Sequence, residues 1–414
     1  HTISYMKHTW RELADAKIHL LGGVCAALVL GASLSACSPK GSDSKTFEVG
    51  EVYQVGDGAQ STSFGIYDTS PESPDGSRIA YVRFLEEPAN PRDGRPGELW
   101  VCETDLSHHR KVCDISLVRT HNGAQVFWLD NETIGFFTPW SSEPRELLFV
   151  DADTGENRFP PIRGITSVGH EPHDGKVLYA MDVRAVGPPL GEAGIYEFDS
   201  ATGKSRMVLS LAKLNTYKDL LPQEALKAKK AYREDEWKFF HLMYSPNAER
   251  IAFRIDVGEN RSQRLRVNMQ SDGSDFHVLN SPLLHFRFYD DSSIAGHERG
   301  VDVNREQLPV RYSSSGEYLE TLAEVPGNHY AISPDRMSFA SESDYNSEPV
   351  VLRYYHAGDD LSSSMVLAEF PPQDVVWEKR FHVNPSFSRD GKRVYFHMPT
   401  ADGRNGTFFA VVEP

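Results

Sequence analysis

One short pattern limits what this chain can fold into: a strand, a tight turn written around Ser-Pro-Asp-Gly, and an apolar strand after it. The clearest copy is SPESPDGSRIAYVRF, from Ser70 to Phe84, and it recurs as YSPNAERIAFRI from Tyr244, ISPDRMSFASE from Ile332 and FSRDGKRVYFHM from Phe387. Ser and Asp reverse the chain, Pro presets the first turn angle and Gly accepts a positive φ. Weaker copies start at Trp128, Glu171 and Phe288. Each is followed by a second hairpin with its own turn, as in ELLFVDADTGENR and GIYEFDSATGKSRMVL. About seven units of four short strands result, spaced about 45–55 residues apart. That period predicts an all-β chain, a seven-bladed β-propeller of four-stranded blades. The last unit ends at FFAVVEP with three strands, and TFEVGEVYQV, residues 46–55, supplies the fourth and closes the ring. One insertion, residues 211–240, reads as helix between blades three and four.

Charge and the N-terminus bound the function. A net charge of -16 argues against a nucleic-acid partner, which needs clustered Lys and Arg. Lys7, Arg11 and Lys17 precede the apolar run LLGGVCAALVLGASLS, the layout of a secretory signal. Leu34-Ser35-Ala36-Cys37 resembles a bacterial lipobox, which implies cleavage before Cys37 and lipidation of its thiol. The expected layout is a signal peptide over residues 1–36, a tether over 37–45 and the propeller over 46–414. This implies a monomer in the bacterial cell envelope, touching membrane through its lipid anchor only. Ser38 after the cysteine implies the outer membrane, facing periplasm or surface.

Aligning the units on their turns exposes a second pattern. The position four residues before each turn reads Thr69, Gln125, Val168, His241, His285, His329 and Asn384 from blade one to blade seven. His382 lies two residues before Asn384, on the same face if the strand is regular. Innermost strands line the central channel, so these imidazoles are expected to converge near one mouth. Histidine is the commonest metal ligand and moves protons near neutral pH. A cluster of this kind suits a divalent ion such as Mn or Zn over Ca or Mg.

The SPDG hairpins resemble those of TolB-like propellers. GNHYAISPD with FHVNPSFSRDGKRVYF resembles the final blades of oligogalacturonate lyases. That resemblance implies a Mn-type ion on His285, His329 and His382, with Asn384 beside them, and His241 as base. The chain departs from the family where His382-Val383-Asn384 replaces a His-x-His pair, and no glutamine precedes it in Trp377–Phe381.

Abstraction of the proton beside a uronate carboxylate requires that carboxylate to be neutralised by a cation and a base within reach. Arg184 and Arg254, near the ends of second strands, are the expected catalytic clamps. Arg287, Gln125 and His121 (in His121-Asn122-Gly123-Ala124) are expected to bind substrate. Cys102 and Cys113 flank one hairpin turn, where either a disulfide or two reduced strand cysteines fits. The expected activity is a metal-assisted polysaccharide lyase that cleaves an acidic, uronate-containing oligo- or polysaccharide by β-elimination. The alternative is a non-catalytic TolB-like propeller that binds a partner protein or envelope component.

Overall fold

The computed structural model describes residues 46–413, apart from 88–93, 119–123, 139–144, 182–191, 221–237, 258–262, 280–282, 299–306, 344–346, 348 and 371–381. It contains seven four-stranded antiparallel sheets, the blades of a propeller. In six of them the four strands follow one another in the chain, beginning with the inner strands Thr62–Ser63, Val126–Trp128, Ser167–Val168, Lys238–Tyr244, Leu283–Asp290 and Tyr330–Ile332. The seventh combines Ser386–Phe387, Arg393–Pro399 and Asn405–Val411 with Val52–Val55 from the other end of the chain. Val52 pairs with Ala410 and Val55 with Thr407, so the ring closes as its sequence implies.

The repeated turn has a physical identity. Ser73 Oγ donates to Asp75 at 2.6 Å and accepts the Arg78 N–H at 3.1 Å. The same two bonds recur at Ser245 with Asn247 and the Arg250 N–H, and at Ser388 with Asp390 and the Arg393 N–H. A hydroxyl thus satisfies backbone that the reversal would leave unpaired.

Between neighbouring blades lie seven apolar clusters, one per interface. Blades three and four share Leu178, Ile195, Phe253 and Val267, and blades seven and one share Tyr395, Phe409, Phe64 and Tyr81. Alternate strand residues point to opposite faces, so each blade packs one face forward and one back. Closure also has a polar lock. Glu72 of blade one, 1% exposed, accepts from Tyr395 Oη at 2.6 Å and pairs with Arg393 at 3.1 Å in blade seven.

Two expectations are refined here. The insertion is helical only over Leu211–Thr216, with a short 3-10 turn at Lys218–Leu220, among the described residues; Lys238–Tyr244 is strand. Tyr217 stacks on Phe276 at 4.5 Å and so packs on the blade. Cys102 and Cys113 are free. Cys113 faces Leu99 across the hairpin, three residues from Cys102, which puts the two thiols on opposite faces of the sheet. Cys102 packs at the interface of blades seven and one, Cys113 at that of blades one and two.

Candidate functional site

The in-phase positions have an unusual backbone. Gln125, His241, His285 and Asn384 take φ of 53°, 51°, 46° and 49°. Left-handed φ is uncommon outside glycine, though Asn and His tolerate it better than most. In blades four and five the inner strand bulges there. Pairing breaks between Phe240 and Met243, and again between Leu284 and Arg287. A bulge re-aims a side chain, and these turn His241 and His285 toward the channel.

The histidines do converge, and they do so around a residue that the repeats do not reveal. Tyr67 lies with its ring 5.3 Å from His170, 6.3 Å from His241, 5.3 Å from His285 and 4.9 Å from His329. His285 and His329 are 4.2 Å apart, and His382 continues the series 5.4 Å from His329. Tyr67 belongs to a strap, Phe64–Thr69, that crosses the channel. Phe64 O accepts from Ala124 N in blade two, and Phe64 N donates to His397 in blade seven. Thr69 Oγ1 donates to His170 O in blade three. Asp68 accepts the Ile332 N–H of blade six and forms an ion pair with Arg287 of blade five. Gly65 is required there, because an added Cβ would meet Val126 O at 2.8 Å. The local signal is Gly65-Ile66-Tyr67-Asp68, the four residues before Thr69, which no other unit carries at the aligned positions.

His241 is the most chemically defined of the histidines. Arg254 Nη1 stands 3.4 Å from its Nε2, and Tyr67 Oη 3.5 Å from its Nδ1. Burial, followed by the charge of Arg254, holds the imidazole well below the usual histidine range, hence neutral. Asp256 engages the other side of Arg254, at 2.7 Å from Nε and 3.2 Å from Nη2, and leaves Nη1 facing the histidine. Directly across the sheet Arg266 pairs with Arg254 in register, and Arg264 with Asp256. Among the described residues four cations, Arg254, Arg264, Arg266 and Lys238 (opposite Asp256 on the inner strand), and the carboxylate of Asp256 therefore share one face of blade four beside His241. Burial and the neighbouring Arg254 push the Arg266 guanidinium down to about 10. Like charges directly opposed on a sheet repel, and an anion between them relieves this. Arg264 and Arg266 alternate in the sequence, a legible same-face signal that pointed to this wall.

His285 and His329 have the second bond of a metal ligand. His285 Nδ1 donates to Asn328 O at 2.9 Å, and His329 Nδ1 is bonded to the carboxylate of Glu342, which is fully buried. Each bond leaves Nε2 with its lone pair, the arrangement that fixes a ligating tautomer. Among the described residues, neither amide atom of Asn384, both buried, has a hydrogen-bond partner. These donor types suit a divalent ion, with His285, His329 and His382 in series along the channel. Among the described residues no three ligating side chains are already gathered to coordinating distance.

The remaining expected residues divide. Arg254 is at the histidines as expected. Arg287 is instead buried in the strap, paired with Asp68, bonded to Tyr330 O and 5.7 Å over the Tyr67 ring. Gln125 is half-buried and makes no hydrogen bond to the histidines among the described residues. Arg184, His121 and Cys37 lie outside the described residues.

No family model matches the chain, and no curated protein does. Solved structures do. An oligogalacturonate lyase in complex with manganese aligns at TM-score 0.58 over 87% of this chain and 93% of its own, with 15% identity. A second oligogalacturonate lyase, from Vibrio parahaemolyticus, aligns at 0.59 over the same shares with 13% identity. The chain shares their fold. TolB from Acinetobacter baumannii aligns at only 0.39, over 81% of this chain and 64% of its own with 13% identity, and carries no functional argument.

Proposed function

We propose that the histidine end of the channel binds a uronate-containing oligo- or polysaccharide and cleaves it by β-elimination. The observation that carries this is the pairing of His241 with Arg254. A guanidinium only donates, so Nε2 of His241 keeps its lone pair beside the group that would hold the carboxylate. Arg254 neutralises the carboxylate, the C5 proton becomes acidic, and His241 Nε2 takes it as the C4–O4 bond breaks to leave a C4=C5 double bond, the departing O4 taking a proton from water to become a hydroxyl. The wall of Arg264 and Arg266 supplies the positive mouth that an acidic chain needs despite the overall negative charge. His285, His329 and His382 would hold a divalent ion, manganese or zinc, whose chemistry there is to draw electron density from the carboxylate. The manganese complex of the structural neighbour supports that choice. The test is incubation of the full chain with pectic and algal uronate polymers. Unsaturated product that disappears with chelator supports the reading, and no product on any polymer overturns it.

A second reading has its own observation. The Tyr67 ring lies among the histidines, which favours a non-catalytic propeller that holds a partner protein or envelope component. Stoichiometric metal after purification separates the two, since a scaffold should hold none. In either reading we place the chain as a lipid-anchored monomer at the outer membrane through Cys37. Mass spectrometry of the processed N-terminus tests that anchor.

A further inference from the structure

The strap splits the channel. Tyr67 faces the histidines, while Asp68 lines a cavity of about 290 Å³ at the opposite end, where the inner strands turn. That volume holds on the order of ten waters. Three arginines line it: Arg287, Arg336 and Arg389. Two are already matched, Arg287 by Asp68 and Arg389 by Glu171 at 2.5 Å.

Arg336 is not matched. Among the described residues its guanidinium has no ion pair or hydrogen bond. The carboxylates around it are engaged elsewhere. Asp335 accepts the Met337 N–H at 3.0 Å, Asp291 the Asn247 N–H at 2.8 Å, and Asp290 the Ser292 N–H at 2.8 Å. Its backbone adds an independent observation. Arg336 takes φ of 67° at the turn position where blades one and seven use Gly76 at 72° and Gly391 at 74°. A long side chain at a left-handed position costs stability that glycine would not. The fold therefore carries a left-handed arginine that lines a cavity and, among the described residues, has no ion pair or hydrogen bond there, with the charges of Asp290, Asp291 and Asp335 acting on it only at longer range.

We propose that this cavity is a second binding site, for a small oxyanion, carboxylate or phosphate, with Arg336 as its charged anchor. The paired Arg287 and Arg389 and the hydroxyls of Ser70 and Ser388 on its wall supply further donors. The proposal does not rest on the lyase chemistry; the two regions meet at His170, which lines this cavity and lies 5.3 Å from the Tyr67 ring.

Calorimetric titration of the full chain with inorganic phosphate and, separately, with acetate, a carboxylate that is not a uronate, tests this. One of the two is expected to bind saturably, and the better of them identifies the oxyanion. Arg336→Gly should weaken that binding at least tenfold while Tm stays at or above that of the unchanged protein, because glycine suits the turn. Arg336→Asn, which also tolerates the backbone, should weaken it likewise. Arg254→Gln, at the other end, should leave it unchanged. Failure of both probes to bind overturns the proposal. So does binding that survives both Arg336 variants, or binding lost in Arg254→Gln, which would put the anion at the histidines.

Discussion

Arg254 Nη1 and His241 Nε2 are 3.4 Å apart, and that contact sets the tautomer of the imidazole. The proton is on Nδ1, toward Tyr67 Oη, and the lone pair faces the cation. Burial keeps the ring neutral, so the lone pair is present at neutral pH. A base and a carboxylate clamp are thus brought together by adjacent strands of one blade.

Arg254→Gln should lower kcat/KM on the uronate substrate by about 10²–10³-fold, the loss typical of one charge-stabilising donor. Arg254→Lys should recover only part of it, because an ammonium lacks the planar fork. Steady-state kinetics on both variants check this.

Glu342→Gln replaces the carboxylate that holds His329 Nδ1. Manganese affinity should fall about 10–100-fold, as for other second-bond partners of ligating histidines. Calorimetric titration with manganese on the two proteins measures it.

The strap predicts a stability contrast. Tyr67 is 4% exposed at the crossing of the channel. Tyr67→Ala should cost about 3–5 kcal/mol, in the range for a buried aromatic. Tyr67→Phe should cost no more than about 1.5 kcal/mol, since its hydroxyl has only the long contact to His241. Urea denaturation separates the two outcomes.

His170 makes stability depend on pH. Burial, then the charge of Arg254, lowers it to about 4 in the folded chain. The unfolded chain titrates near the ordinary value of about 6.5 and so binds more protons between the two. Stability should be full above about 6.5, fall as pH drops toward 4, and lose nothing more from this group below that. His170→Phe should make the slope of unfolding free energy against pH shallower in that window.

The blades were legible because their turns are local. Ser73, Ser245, Ser333 and Ser388 each bond within a few residues, so repeat spacing alone marks the hairpins. The phase of His241, His285 and His329 was legible for the same reason. The strap was not, because Tyr67 and Asp68 act through blades hundreds of residues away and no repeat contains them. The cysteines stayed open because strand register is not readable locally: Val101 pairs with Arg110 and Leu99 with Cys113, which leaves Cys113 three residues along from Cys102. Arg287, two residues from His285, was expected at the substrate and instead holds Asp68.

The most direct measurement is the ultraviolet absorbance of unsaturated uronate released by the full chain and by His241→Ala, each loaded with manganese. The account predicts product from the unchanged protein and a rate about 10²–10⁴-fold lower in the variant, with the same manganese content. Equal rates in the two proteins would contradict it, as would no product from the unchanged protein on any uronate polymer.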